Sequence, residues 1–273
     1  MSRKDHKFDR FALTGLPFHG MPDEPFLDAS RDECLKQLQT FLGYRGFAVI
    51  TGPPGTGKTM LLNHLCRRLQ PNENRVIYIP FATLSPSDML RSICAGLGLE
   101  PVMSKSRMLL NIQERVAEIQ PVNPVLVLDE VQKISHPTME IVRLLANFNF
   151  EEKNLFSVIM SGNDEFLQQL RLRINEPLRQ RITCYCRLAA LSRKESAEYV
   201  NHHFQIAGAH QKIINDQAQA LVHDLTSGIP RMINSLVLKA LENAADNESQ
   251  VIDLKHVKTA RAMVQLPTQE AMP

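Results

Sequence analysis

The segment from Gly52 to Thr59 carries residue types and a spacing suited to binding phosphate. It reads Gly-Pro-Pro-Gly-Thr-Gly-Lys-Thr, a full match to the pattern G-x-x-x-x-G-K-[ST]. Glycines let backbone N–H groups curl around phosphate oxygens, and the N-terminus of a following helix adds the positive end of its dipole. Lys58 is predicted to reach the β- and γ-phosphates, and Thr59 is predicted to ligate Mg²⁺. The pattern therefore predicts a site for a nucleoside triphosphate.

The segments on either side of this loop have the periods of a strand and of a helix. The apolar run Phe47–Ile50 precedes it, and apolar residues recur at helical spacing across Met60–Leu69. This order distinguishes a phosphate-binding loop from an ordinary glycine-rich turn, so we favour the former. The predicted nucleotide-binding residues are Gly52, Pro53, Pro54, Gly55, Thr56, Gly57, Lys58, Thr59 and Met60.

Two carboxylates follow the apolar run Val125–Leu128, where a buried strand is expected to end. Ligands of parallel sheets bind at the carboxyl ends of the strands, so these side chains are predicted to lie near the loop. Asp129 is predicted to hold Mg²⁺ together with Thr59, directly or through water. Glu130 is predicted to polarise the attacking water as a general base. An apolar run ending in Asp-Glu is a weak signal alone, but its place about 70 residues after a complete loop strengthens it.

A polar residue also follows the next apolar run, Phe156–Met160. Asn163 at that strand end is within reach of a γ-phosphate or its attacking water, which would make it a sensor of the nucleotide state. An asparagine is an equally good cap for the helix expected over Asp164–Leu170. We favour the sensor because of the neighbouring motifs, and the capping alternative stays open.

Apolar runs and helical patterns alternate through the first two thirds of the chain. This alternation is typical of a parallel sheet with helices on both faces. The predicted strands are Phe47–Ile50, Val76–Ile79, Val125–Leu128, Phe156–Met160 and, with a weaker pattern, Ile182–Leu188. The predicted helices are Arg31–Leu42, Met60–Leu69, Ser87–Leu97, Ser106–Ile119 and Thr138–Phe148.

The pattern changes after Leu191. Ser192-Arg193-Lys194-Glu195 has the form of a capping box that opens a helix, and helical patterns then continue with breaks at Gly208 and Gly228-Ile229-Pro230. The short run Val251-Ile252 is the strand-like exception. We therefore predict an N-terminal segment with a first helix at 1–45, an α/β ATP-binding core at 46–191, a helical lid at 192–265 and a loose tail at 266–273.

The composition excludes several classes of protein. The 273 residues are 44% apolar and 22% charged, as in ordinary globular proteins. The charged N-terminus has no apolar segment behind it, so we do not expect it to be a secretion signal. No stretch approaches the ~18–20 consecutive apolar residues of a membrane helix, so we expect no membrane partner. Cys184-x-Cys186 lacks a second Cys/His pair at ligand spacing, so we expect no metal there. Reduced cysteines favour the cytoplasm.

The order of these motifs resembles that of an AAA+ ATPase and, more narrowly, of the ExeA/TniB/TnsC group. The resemblance covers roughly Phe11 to Ala260, and segments 179–182 and 228–234 narrow it to the group. It implies a P-loop AAA+ fold, an α/β five-stranded parallel sheet with helices on both faces and a small C-terminal all-α lid. The segments that carry it are Leu16-Pro17-Phe18 with Phe26-Leu27, Asp129-Glu130-Val131-Gln132-Lys133-Ile134, Arg143-Leu144-Leu145-Ala146-Asn147, Leu178-Arg179-Gln180-Arg181-Ile182, Leu188-Ala189-Ala190-Leu191-Ser192 and Gly228-Ile229-Pro230-Arg231-Met232-Ile233-Asn234.

This resemblance implies ATP-dependent assembly, with ATP and Mg²⁺ at an interface between subunits of a homo-oligomer, either a ring or a helical filament. Arg231 is then the second sensor, reaching from the lid to the γ-phosphate of its own subunit, although an arginine at a helix start after Gly-Pro is the plainer alternative. Arg181 or Arg179 is then the finger that enters a neighbouring site. We favour Arg181, but the sequence does not separate the two. A guanidinium suits both roles because it stays charged and matches phosphate oxygens bidentately.

For double-stranded DNA, the resemblance points to loops after the second strand and before the next long helix. These loops offer Thr83, Ser85, Lys105 and Arg107, which suit phosphate contacts that position DNA without reading its sequence. The alternative is a polar helix cap. The net charge is only +2, although seven cations lie in 171–194 against one acid. Useful affinity would therefore come from many subunits adding weak contacts.

Three functions agree with such an ATPase. The first is a transposition regulator resembling TniB or TnsC, which assembles on DNA with ATP and directs a transposase, with a target-selector protein as a further partner. The second is a secretion ATPase resembling ExeA, a family that continues into a membrane helix and a wall-binding domain. The third is a helicase-loader-like or replication-initiator-like ATPase with an N-terminal partner-binding domain. The sequence ends at Pro273 and about 45 residues precede the first strand, so we favour transposition.

Overall fold

The structure, a computed structural model, describes Phe8 and residues 10–80, 83–145 and 155–264. The chain divides into two compact units. The α/β unit consists of Ala29–Pro54 and Lys58–Ala189. The second unit consists of Met1–Asp28, Gly55–Gly57 and Ala190–Pro273. The predicted tail at 266–273 lies outside the described residues, as do Ala146 and Asn147.

The α/β unit is built on a parallel sheet of five strands in the order β2-β3-β4-β1-β5. Every residue of β1, β3 and β4 is buried, so both faces of the central strands are covered, as a parallel sheet requires. The edge strands β2 and β5 are partly exposed. All five predicted strands and the fold class are confirmed. The strands are β1 Gly46–Thr51, β2 Asn74–Ile79, β3 Asn123–Leu128, β4 Ser157–Gly162 and β5 Ile182–Arg187.

Helices connect the strands of this unit, and several begin at a residue whose side chain caps them. Ser85 accepts a hydrogen bond from the Asp88 N–H and Pro86 occupies the first turn of α3, so the predicted start of this helix is confirmed. The helix predicted over Thr138–Phe148 is confirmed up to Leu145, and its last three residues lie outside the described part. The helices are α1 Ala29–Leu42, α2 Lys58–Arg68, α3 Pro86–Gly96, α4 Lys105–Glu118, α5 His136–Leu145, α6 Asp164–Arg171 and α7 Glu176–Arg179.

The second unit is helical and has its own core. Its helices are α8 Arg193–Ile206, α9 Asp216–Thr226, α10 Pro230–Asp246 and α11 Leu254–Val264. The capping box predicted at Ser192 is present, with both reciprocal bonds to Glu195. Phe11 and Phe18, from the N-terminal end of the chain, are buried in this core. The strand-like pattern near Ile252 forms only an isolated parallel bridge with Ile214.

Two further observations concern the cysteines and the hydropathy of the helices. All five cysteines are free thiols. Across the residues that the structure describes, no helix is both long enough and apolar enough to cross a membrane.

Candidate nucleotide-binding site

Lys58 is the first residue of α2, directly after the glycine-rich segment. Its side chain is buried, and Nζ donates hydrogen bonds to the carbonyl oxygens of Gly52 at 2.8 Å and Pro53 at 3.0 Å. Burial of an ammonium group is costly unless hydrogen bonds compensate for the lost water, and these two carbonyls contribute that compensation. The ammonium group is thus held against the start of the loop, at the N-terminus of a helix.

The middle of the loop adopts backbone conformations that favour glycine. Gly55 has φ +83° and Gly57 has φ +95°. Both belong to the second unit, where the Arg231 N–H donates to the Gly55 carbonyl oxygen at 3.2 Å. A Cβ atom on Gly55 would lie 3.0 Å from the Arg231 Cβ and 3.1 Å from a methyl carbon of Ile229. Gly55 is therefore required both by its φ and by this close approach.

Arg231 lies in the first turn of α10, after Pro230, and its side chain is exposed. This is the position that the plainer alternative, a helix-start arginine, describes. Within the second unit its backbone contacts the loop residue Gly55. Its role as a sensor of the γ-phosphate stays a prediction.

Asp129 follows β3 directly and is buried. Its Oδ2 atom accepts hydrogen bonds from the Thr59 hydroxyl at 2.6 Å and from the Tyr78 hydroxyl at 3.1 Å. The chain thus brings together the two residues predicted as metal ligands, which are 70 positions apart. A hydroxyl and a carboxylate are hard oxygen donors of the kind that Mg²⁺ prefers, so this pair fits the predicted ion. A tyrosine hydroxyl is protonated at neutral pH and so donates this bond, and burial, and next the charge of Asp129, raise the pKa of Tyr78 further.

Glu130 has a backbone conformation that is rare for a residue with a side chain. Its φ of 55° and ψ of 39° place it in the left-handed region, between β3 and a 3-10 turn at Val131–Lys133. Its N–H donates to the Asp129 Oδ1 atom at 3.0 Å, and its Oε2 atom accepts from Gln132 Nε2 at 2.6 Å. The two adjacent carboxylates therefore have different hydrogen-bond partners. Asp129 contacts Thr59, whereas Glu130 contacts Gln132. The sequence does not predict a role for Gln132, because a position two residues after Glu130 indicates no contact between the two side chains unless the conformation of the turn is known.

Asn163 follows β4, which pairs with β3 on one side and with β1 on the other. Its Oδ1 atom accepts from the Glu165 N–H at 3.0 Å, and its Nδ2 atom donates to Glu165 Oε2 at 3.1 Å. The residue therefore caps α6, as the alternative interpretation describes. A cap at a strand end beside β3 does not conflict with a sensor role, which stays a prediction.

The two candidate fingers lie just before β5 and differ in their surroundings. Arg179 is exposed and lies 3.7 Å from Glu176, a contact that solvent screens. Arg181 is half-buried, and its Nη1 atom is buried without a hydrogen-bond partner among the described residues. Neither observation identifies the finger, and both residues stay candidates.

The predicted DNA-binding residues lie at the starts of two helices. Ser85 caps α3, and Ser104 caps α4 by accepting from the Arg107 N–H. Lys105 and Arg107 occupy the first turn of α4 with exposed side chains, and Thr83 is exposed before α3. The structure therefore shows that the two serines cap helices, which is what the alternative interpretation describes. The two cations remain available to solvent, and their role toward DNA stays a prediction.

Comparison with known proteins finds relatives of this sequence. Residues 39–170 match the AAA domain family. Over 244 residues, 85% of this chain, the sequence is 33% identical to the general secretion pathway protein A of Aeromonas hydrophila. The chain spans only 43% of the length of that relative.

Solved structures with the same fold include two bound to DNA. The Drosophila origin recognition complex bound to DNA aligns with a TM-score of 0.73 and 18% identity over 97% of this chain and 69% of that one. The Aeropyrum pernix ORC1 protein in complex with DNA aligns with a TM-score of 0.69 and 18% identity over 89% of this chain and 67% of that one. At this level of identity the likeness concerns the fold. Residues 39–170 are therefore similar to the AAA domain family, and the chain has the fold of the P-loop AAA+ ATPases.

Proposed function

We propose that this chain is a Mg²⁺-dependent ATPase that uses ATP binding to assemble on double-stranded DNA and hydrolysis to leave it. The observation that carries the proposal is the 2.6 Å hydrogen bond between Thr59 and Asp129. It joins the helix that begins at Lys58 to the strand end that presents Glu130. A phosphate-binding lysine, a pair of metal ligands and a candidate base are the parts that phosphoryl transfer to water requires.

Each side chain has a defined task in this proposal. Lys58 binds the β- and γ-phosphates, for which it exchanges its bonds to the Gly52 and Pro53 carbonyls. Thr59 and Asp129 hold Mg²⁺, which when bound neutralises charge on the phosphates. Glu130 orients the attacking water and accepts its proton.

We propose further that the site is completed by a neighbouring subunit. Arg181, or Arg179, supplies a guanidinium to the γ-phosphate of the neighbour, and Arg231 supplies one to its own subunit. ATP then stabilises the homo-oligomer, a ring or a helical filament, and loss of the γ-phosphate removes these contacts.

DNA is the proposed substrate of assembly. Two solved structures of this fold are complexes with DNA, and the exposed Lys105 and Arg107 offer phosphate contacts at the start of α4. With a net charge of +2 per chain, binding depends on many subunits and on low salt. The resemblance to TniB and TnsC supports a role in DNA transposition in the cytoplasm, in which the assembled ATPase recruits a transposase and a target-selector protein.

A second candidate function is favoured by a specific observation. The 33% identity to a general secretion pathway protein supports an ExeA-like ATPase, in which the same nucleotide cycle acts on a secretion partner. The two candidates share the nucleotide site and differ in DNA binding. A replication-initiator-like role would use both the nucleotide cycle and DNA binding, as the transposition role does. The ORC structures have the fold that this role implies.

The assembly proposal is tested with two variants of the site. Glu130→Gln keeps the volume and removes the base, so we expect an oligomer trapped on duplex DNA with ATP. Lys58→Ala removes the phosphate contact, so we expect no assembly. Sedimentation and electron microscopy with ATP, with ADP and without DNA provide the readout. A Glu130→Gln protein that stays monomeric with ATP and DNA would contradict assembly, and assembly without any need for DNA would favour the secretion candidate.

A mixing experiment tests whether the site lies between subunits. Lys58→Ala lacks its own nucleotide contact but keeps Arg181, whereas Arg181→Ala keeps the nucleotide contact and lacks the finger. If the finger acts in a neighbour, a mixture of these two inactive proteins regains part of the ATPase activity. Arg179→Ala in place of Arg181→Ala identifies which of the two acts. Absence of recovery with both arginine variants would show that neither acts across an interface.

A further inference from the structure

Gln132 is the side chain that holds the Glu130 carboxylate. Its Nε2 atom donates a hydrogen bond to Glu130 Oε2 at 2.6 Å. An ionised carboxylate only accepts hydrogen bonds, so the amide must turn its NH₂ group toward Glu130 and its carbonyl away. One carboxylate oxygen is thus engaged by this bond.

The surroundings of Gln132 fix its backbone and leave space for its amide. Its backbone carbonyl accepts from Gln169 Nε2 of α6 at 2.9 Å. Gly162 leaves room for the amide, since a Cβ atom on Gly162 would lie 3.3 Å from Gln132 Oε1 and 3.0 Å from a methyl carbon of Val131. The amide therefore occupies a slot between the end of β4 and the Glu130 carboxylate.

This arrangement has a cost that packing does not explain. Gln132 Oε1 is buried and has no hydrogen-bond partner among the described residues. A leucine of similar volume would fill the slot without burying an acceptor, so the glutamine is justified by what its Nε2 atom does. That atom contacts Glu130.

We propose that Gln132 is a positioning residue that fixes the Glu130 carboxylate for hydrolysis, an inference that rests on the proposed role of Glu130 as base. Glu130 projects from a left-handed backbone position at a turn, where its side chain lacks the support of a helix or strand. The Gln132 bond immobilises one carboxylate oxygen and leaves the other for the attacking water. Without it, the carboxylate samples positions from which it does not orient that water.

The contact is tested first without nucleotide. In a double-mutant cycle of Glu130→Ala and Gln132→Leu, measured by urea unfolding of the nucleotide-free chain, the two changes in unfolding equilibrium constant should combine non-multiplicatively by about fivefold. Lys133→Ala is the matched control, because Lys133 is exposed in the same turn, and its cycle with Glu130→Ala should be multiplicative. Multiplicative effects for the Gln132 pair would overturn the proposal.

The role in hydrolysis is tested by kinetics of the same chain. In Gln132→Leu, kcat should fall by about tenfold or more while KM for ATP and the binding of a fluorescent ATP analogue stay within about twofold. Gln132→Glu, of the same shape, should lose more, because it places a second carboxylate against Glu130. Gln132→Leu with a normal kcat beside an inactive Glu130→Gln would refute this inference alone. An active Glu130→Gln would refute the base assignment, while the unfolding cycle would still report the contact.

Discussion

Replacing Gly228 with alanine should be among the most damaging single-methyl changes in the second unit. Gly228 has φ +70°, and its carbonyl oxygen accepts a hydrogen bond from the Leu191 N–H at 2.8 Å. A Cβ atom there would lie 1.9 Å from the Leu191 carbonyl oxygen and 2.9 Å from the Leu191 carbonyl carbon. Both atoms belong to the backbone, so no side-chain rotation relieves the clash, and the two segments must separate.

The magnitude follows from two contributions. The left-handed conformation costs an alanine about 1 kcal/mol relative to glycine. Forcing apart two backbone segments in a packed region costs about 1–3 kcal/mol more, and the Leu191 hydrogen bond is weakened with it. We therefore expect Gly228→Ala to lower the free energy of unfolding by about 3 kcal/mol, which is a fall in Tm of roughly 10 °C in a unit of this size.

The adjacent residue provides a matched control of opposite sign. Ser227 also has a left-handed backbone, with φ 49° and ψ 31°, at the C-terminal end of α9. Glycine is the preferred residue for this conformation at a helix end, so Ser227→Gly should stabilise the unit by about 0.5 kcal/mol. The two adjacent positions should therefore respond with opposite signs. Gly228→Ala lowers the stability of the unit, whereas Ser227→Gly raises it.

Stability is measured by urea unfolding, followed by far-ultraviolet circular dichroism. The slope m is also compared between the proteins, because a shifted midpoint reports a change in stability only where m is unchanged. Thermal unfolding of the same three proteins gives the shift in Tm. A Gly228→Ala protein within about 1 kcal/mol of the unaltered chain would refute the reasoning, since the chain would then not have this backbone approach at Leu191. A destabilised Ser227→Gly would contradict the assigned helix end.

Three further predictions test other parts of the chain. Tyr78→Phe should weaken Mg²⁺-dependent nucleotide binding by about 10–100-fold, measured by Mg²⁺ titration, because Asp129 loses the hydroxyl that orients it. Burial lowers the pKa of His203 to about 4 from the ordinary 6.5, so its neutral form stabilises the fold above pH 6.5 and this stability is lost as the pH falls toward 4. Between pH 6.5 and 5 the loss is about 2 kcal/mol, and urea unfolding of His203→Phe should lack it; an unchanged pH dependence would contradict the assignment. Ser192→Ala removes one half of the capping box of α8 and should cost about 1 kcal/mol by urea unfolding, whereas equal stability would show that the cap contributes nothing.

Local patterns were sufficient to predict the strands and the residues at their ends. A parallel sheet buries both faces of its central strands, so each appears in the sequence as a continuous apolar run. The polar residues that follow such runs, here Asp129, Glu130 and Asn163, must lie at one edge of the sheet, because all strands point the same way. The side chains could therefore be named from spacing and strand direction.

The remaining features depend on contacts between distant segments. The order of the strands places β4 between β1 and β3, although β2 and β3 separate it from β1 in the chain, and nothing local to those strands encodes this. The burial of Phe11 and Phe18 in the core of helices that begin at Arg193 is of the same kind. Gln132 is not predicted for a local reason: Glu130 has a left-handed conformation before a 3-10 turn, and strand or helix periodicity does not describe such a turn.

The shared acceptor at Asp129 shows how the site can be both preformed and free to bind a metal. Its Oδ2 atom accepts from Thr59 and from Tyr78 at once. If Thr59 and Asp129 bind one Mg²⁺, both oxygens must offer lone pairs, so the Thr59 proton must turn away and that bond must break. The Tyr78 bond need not break, because Tyr78 is not a ligand and stays protonated. Tyr78 thus keeps the Asp129 carboxylate in place while Thr59 changes its partner, and for this reason Tyr78→Phe should weaken metal binding more than it alters the fold.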